Sequence, residues 1–215
     1  YNGVLIVNKP QDFTSFDVVA KLRGMLHERR IGHGGTLDPM ATGVLPVFVG
    51  GATKAADMAA AQAKEYVAGF ALGYATDTQD STGTETARSD RRASLPAVQA
   101  AVDAMRGEQM QLPPMYSAVK VDGKRLYDLA RKGVEVERTP RPITVHEAEL
   151  LEFDEQAQAG RLRFVCSKGT YVRTLIHDLG EGLGTCAVMT ALQRTTSGRY
   201  TLEQSHTLEE IQRAA

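Results

Sequence analysis

Gly32-His33-Gly34-Gly35-Thr36-Leu37-Asp38-Pro39-Met40-Ala41-Thr42-Gly43-Val44-Leu45-Pro46 decides how this 215-residue chain is read. Gly32, Gly34, Gly35 and Gly43 give the backbone freedom to take positive φ or to let another chain approach closely. Pro39 drives Asp38 towards an extended conformation, so no helix runs through it. The run continues into Val44-Leu45-Pro46-Val47-Phe48-Val49, an apolar segment of the length of a buried strand. One carboxylate is thus held on a constrained loop that leads into a core strand. Loops fixed by a rigid scaffold are where catalytic side chains concentrate. Taken alone, the run also reads as a tight turn in which Asp38 caps a backbone N–H. A phosphate cradle is the weaker alternative, because neither G-x-G-x-x-G spacing nor a Walker lysine is present.

Upstream, Val4–Val7 forms a short strand ending at Asn8-Lys9-Pro10, and Thr14 with Asp17 has capping-box spacing before a helix to Leu26. Downstream, Thr53 is expected to cap a short helix through the Ala-rich 54–62 segment. Lys64 to Tyr74 alternates as a strand, with Tyr66, Ala68, Phe70, Leu72 and Tyr74 on one face. Thr76–Gly83 is a polar turn, and Ser94 opens a helix to about Met105. Asp122-Gly123 is a hairpin turn, followed by a short helix over 126–132 that Gly133 closes. Ile143–Phe153 and Arg161–Cys166 pair as strands. Thr170 is expected to cap a helix whose apolar face is Leu175, Ile176, Leu179 and Leu183, and Lys168-Gly169-Thr170 at its start would suit a phosphate or carboxylate. Thr207-Leu208-Glu209-Glu210 opens a last helix.

Composition is that of a soluble globular chain, with 42% hydrophobic and 24% charged residues. No apolar run reaches membrane-spanning length and no signal-peptide pattern is present. Cys166 and Cys186 are too few for a disulfide framework or a zinc site; both are expected to be reduced and buried, as in a cytoplasmic protein. The net charge of −1 speaks against nucleic acid, but its distribution does not. Lys120, Lys124, Arg125, Arg131, Lys132, Arg138 and Arg141 outnumber Asp122, Asp128, Glu135 and Glu137, giving residues 113–142 a net +3. Separated patches of this kind place a basic face on a near-neutral protein, although ordinary solvated faces would read alike.

The run GHGGTLDPMATGVLPV resembles the catalytic loop of the tRNA pseudouridine-55 synthases, the TruB family. Similar matches follow in order: GVLIVNKP with Thr14-Ser15, KEY with LGYATDTQDSTG, the PPMYSAVKVDGKRLY segment, CSKGTYVRT and ALQRT. The resemblance implies a mixed α/β (α+β) catalytic domain over 1–215, its largely antiparallel sheet flanked by helices, with an RNA-binding insertion near 113–142. It implies that Asp38 is catalytic, that Arg173 pairs with it, and that Tyr66, Tyr171 and Leu192 line the uracil pocket. His33 would support the flipped-out RNA loop; Lys9, Lys120, Lys124, Arg125 and Lys168 are the expected RNA contacts. Most members carry a further C-terminal RNA-binding domain, often of the PUA type, which is expected to be absent here.

The implied reaction breaks the uridine N1–C1′ bond, rotates the captive uracil and rejoins it through C5. It needs no metal, cofactor or redox step. It needs one ionised carboxylate beside the ribose, acting at C1′ as a nucleophile or at C2′ as a base. The target base must be extruded from its stack. The expected partner is the T-stem and loop of tRNA, and the chain is expected to act as a monomer without membrane. The rivals are the guide-RNA-directed branch of the same family and an RNA-folding chaperone, in which Asp38 would be idle.

Overall fold

The computed structural model describes residues 1–215. In chain order the elements are β1 (Gly3–Lys9), α1 (Ser15–Leu26), β2 (Ile31–His33), β3 (Thr42–Val49), a 3-10 segment (Gly50–Ala55), α2 (Ala56–Ala60) and β4 (Lys64–Leu72). Then come β5 (Tyr74–Thr76), β6 (Glu85–Arg88), α3 (Leu95–Asp103), β7 (Gly107–Gln111), β8 (Lys120–Val121), β9 (Lys124–Arg125) and α4 (Leu126–Arg131). The chain finishes with β10 (Arg141–Asp154), β11 (Ala159–Cys166), α5 (Val172–Leu183), β12 (Ala187–Ser197), β13 (Tyr200–Thr201), a 3-10 turn (Leu202–Gln204) and α6 (Leu208–Ala214). Two compact units form, one of Tyr1–Val67 with Ala191–Ala215 and one of Ala68–Thr190. The strands make a mixed, largely antiparallel sheet flanked by helices, as expected.

The first unit has strand order β1-β3-β12-β4. β1 and β2 both pair antiparallel with β3, and β12 joins it in parallel through Gln193↔Thr42 and Arg194↔Gly43. β3 is buried along nearly its whole length, which is why it reads as a continuous apolar run and not as an alternating one. α1 starts at the expected capping box: Thr14 Oγ1 accepts from Asp17 N, and Asp17 accepts from Thr14 N. Its buried face is Val18, Val19, Leu22 and Leu26. The expected cap at Thr53 is not one. Its hydroxyl donates back to the Gly50 carbonyl and accepts from Arg30, so it sits inside the 3-10 segment, and α2 begins at Ala56 without a side-chain cap.

The second unit has strand order β4-β11-β10-β7. β10 pairs antiparallel with β11 and with β7, and Leu162, Phe164, Ile143 and Val145 are buried. Phe70 stacks on Phe153 with parallel rings, 5.9 Å between centroids. β4 ends at Leu72, two residues before Tyr74, because Gly73 takes φ +111°, so Tyr74 starts β5. Asp122 and Gly123, at φ 50° and 77°, make the two-residue turn between β8 and β9. Cys166 is buried and Cys186 only half-buried, and the two form no disulfide. No helix is long and apolar enough to cross a membrane.

Candidate active site

The Asp38 loop lies in the first unit, between β2 and β3. β2 holds His33 opposite Val47, and Gly34 N donates to Pro46 O at 2.9 Å, so the loop is closed at its base before it reaches Asp38. The four glycines serve different ends. Gly35 and Gly43 take φ of +112° and +104°, where a side chain is strained. Gly34 keeps ordinary φ but leaves no room: a Cβ there would lie 2.9 Å from Phe48. Gly32 needs neither freedom, with nothing within 4 Å of its ideal Cβ.

The backbone around Asp38 is pinned residue by residue. Arg194 Nη2 donates to Gly35 O at 3.0 Å, its Nη1 to Thr36 O at 3.5 Å and its Nε to Val44 O at 2.8 Å. Ser15 Oγ accepts from Leu37 N at 2.9 Å and lies 3.3 Å from Leu37 O. Pro39 O accepts from Asp12 N at 2.8 Å and from Lys9 Nζ at 3.2 Å. Ala41 N closes a turn onto Asp38 O at 3.0 Å. The Asp38 side chain is half-buried.

Lys9 is corrected as an RNA contact. It is 0% exposed, and its ammonium donates to Pro10 O, Phe13 O and Pro39 O, so no donor is left for a phosphate. Burial lowers its pKa to about 8, against the opposing pull of Asp38 and Asp12. His33 is half-buried, its Nδ1 has no hydrogen-bond partner, and burial together with the Arg194 charge keeps its pKa below the usual histidine value. Tyr66 on β4 and Leu192 on β12 are both buried. In the same unit Thr195 Oγ1 donates to Glu65 Oε1 at 2.7 Å, beside these two positions in sequence.

In the second unit Arg173 sits in the first turn of α5 and is 4% exposed. Its guanidinium donates to Thr78 O at 3.0 Å and to Tyr116 O at 2.9 Å, and lies 5.9 Å from the centre of the Tyr171 ring. The polar turn that carries Thr78 is tied by Asp80 Oδ1, which accepts from Thr78 Oγ1 and from Thr82 N and Oγ1. The expected cap Thr170 is displaced: Tyr171 occupies the N-cap position without a side-chain cap. Gln111 does the holding, accepting from Tyr171 N at 2.9 Å and donating to Tyr171 O at 3.1 Å. The lysine-containing turn therefore precedes the helix instead of starting it, and Lys168 is exposed. Lys120, Lys124 and Arg125 are exposed on the β8–β9 hairpin.

Sequence reasoning missed Arg194, Ser15 and Gln111. Ser15 and Arg194 stand inside matching runs, but nothing in their spelling separates a buried donor from a surface one. Gln111 lies outside every matching run.

The chain is a pseudouridine synthase of one particular kind. The profile of "TruB family pseudouridylate synthase (N terminal domain)" matches residues 23–172, and that of "tRNA pseudouridylate synthase B C-terminal domain" matches 173–215. It belongs to the TruB family. Curated relatives named tRNA pseudouridine synthase B include one from Fusobacterium nucleatum subsp. nucleatum, 48% identical over 94% of this chain and 69% of its own length. Another, from Syntrophomonas wolfei subsp. wolfei, is 46% identical over 98% of this chain and 71% of its own. A chain of a Cbf5–Nop10–Gar1 complex superposes with a TM-score of 0.76 at 32% identity, covering 96% of this chain. This chain spans about half (52%) of that solved one.

Proposed function

We propose that this enzyme isomerises the T-loop uridine at position 55 of tRNA to pseudouridine, with Asp38 as the catalytic carboxylate. The supporting observation is the clamp on the Asp38 loop: the backbone on both sides of one half-buried carboxylate is bonded to the body of the first unit. A turn that merely connects strands has no need of a buried arginine, a buried lysine and a buried serine.

The carboxylate attacks C1′, or removes a C2′ proton that is returned when the ring rejoins, and either route breaks the N1–C1′ bond and frees the uracil. The uracil turns, bonds to C1′ through C5, and loses the C5 hydrogen as a proton while N1 gains one, so the product is an isomer of the substrate. The face of Tyr66 holds the detached base, with Leu192 as a wall. His33, with an unused ring nitrogen, braces the extruded nucleotide's loop. The exposed Lys120, Lys124, Arg125 and Lys168 contact the RNA backbone, which makes affinity salt-dependent. RNA loops are recognised by shape and stacking more than by groove edges, so a basic hairpin is a suitable grip.

The test is tritium release from tRNA carrying C5-tritiated uridine. Release confined to the T-loop uridine and abolished in Asp38→Asn, with tRNA binding kept, is expected. Release that persists in Asp38→Asn overturns the assignment. Tight binding without any release from the unsubstituted chain favours a chaperone.

A further inference from the structure

Arg194 is 1% exposed, and its three hydrogen bonds all end on backbone carbonyls. Two of those carbonyls, Gly35 and Thr36, precede Asp38; the third, Val44, follows it. A buried cation bonded only to carbonyls is a costly way to fill space, since the ion gives up its hydration. A leucine or methionine of similar volume would fill it for less. The planar guanidinium fork is the one side chain with donors aimed in several fixed directions at once. What it secures here is the separation of the two ends of one loop.

The strand beneath it is arranged for the same purpose. β12 meets β3 in parallel at Arg194↔Gly43, and a Cβ on Gly43 would fall 2.2 Å from the Arg194 carbonyl oxygen. Arg194 therefore touches the loop through its side chain and its backbone. On the far side of the loop, Ser15 at the start of α1 takes up both polar groups of Leu37, the residue next to Asp38. Two elements distant in sequence thus fix residues 35–37 by donors that carry no chemistry of their own.

We infer that Arg194 and Ser15 are positioning residues of the isomerisation: they hold the loop so that the Asp38 carboxylate meets the ribose at bonding distance. This rests on Asp38 being the catalytic carboxylate. A displacement of the order of 1 Å at a reacting group costs about 10²-fold in rate. Because both residues are buried, Arg194 at 1% and Ser15 at 3% exposed, their loss acts on the chemical step and leaves binding in place.

The experiment measures the single-turnover rate of tritium release and the tRNA Kd for Arg194→Lys, Ser15→Ala and Asp38→Asn. Rates are normalised to the folded fraction from a urea titration. Arg194→Lys keeps the charge and loses the fork; Ser15→Ala leaves the buried charge intact. The expected result is a rate lowered about 10²-fold in Arg194→Lys and about 10-fold in Ser15→Ala, with Kd within about threefold of the native chain. A structural role alone gives fewer folded molecules, each turning over at the native rate, and that result overturns the inference. So does a loss carried by Kd. If Arg194→Lys does not fold, Ser15→Ala decides alone. Should Asp38→Asn retain its rate, the carboxylate assignment fails. Should Asp38→Asn be dead while both others are native in rate, only the positioning inference fails.

Discussion

Replacing Gly43 by alanine tests the geometry beneath the active loop. Gly43 takes φ +104°, and an ideal Cβ would lie 2.2 Å from the Arg194 carbonyl oxygen and 3.0 Å from its C and N. The obstacle is backbone, so no side-chain rotation relieves it. Leaving an L-residue at such a φ costs about 1–2 kcal/mol. Forcing β3 and β12 apart adds overpacking of about 1–3 kcal/mol. The expected loss is therefore about 2–5 kcal/mol, a large share of the roughly 5–15 kcal/mol that stabilises a typical domain. Urea unfolding followed by circular dichroism measures it. Gly32→Ala is the internal control: it lies in β2, which pairs with the same strand β3, its φ is not positive, and its Cβ would meet nothing within 4 Å. It should stay within about 0.5 kcal/mol of the native chain. A Gly43→Ala variant of native stability, or equal losses from the two substitutions, would refute the close approach of β12 to β3 on which the Arg194 clamp depends.

Three further outcomes follow from other parts of the molecule. The Lys9 ammonium has a pKa of about 8 in the folded chain against an ordinary lysine value of 10.5, so between these values the unfolded chain binds more protons than the native one. The Lys9 contribution to stability therefore rises as pH climbs from about 8 towards 10.5; urea midpoints across that window should show a rise that Lys9→Met lacks, and identical pH profiles would contradict the burial of its charge. Gln111→Ala strips both backbone partners from Tyr171 at the start of α5, and should cost about 1–3 kcal/mol by thermal or urea unfolding. Neutralising Lys120, Lys124, Arg125 and Lys168 to glutamine should weaken tRNA binding and flatten its logarithmic salt dependence by about one unit for each phosphate they neutralise; an unchanged slope would remove these residues from the interface.

The local rules that need only near neighbours were legible. Thr14-x-x-Asp17 and Thr207-x-x-Glu210 are reciprocal caps whose partners lie three residues apart, and both form as read. Asp122-Gly123 is a two-residue turn because its φ requirements are local. The apolar run after Asp38 became a buried strand because no polar residue interrupts it. The readings that failed are those where a distant group outcompetes the local one. Thr53 lost its cap to a 3-10 segment that bonds its hydroxyl backwards, and Thr170 lost its own to Tyr171, which Gln111 holds from 60 residues away.

By itself the sequence determined the family and the glycine-rich run around Asp38, since each of these is written in contiguous residues. Tertiary structure alone decided what the cations do. Lys9, Arg194 and Lys168 are chemically similar in the sequence. Folding buries Lys9 and Arg194 against carbonyls of the Asp38 loop and leaves Lys168 in solvent. The difference is one of burial: a charge removed from water must find fixed dipoles. Which dipoles those are depends on strands and helices that meet only in the folded chain.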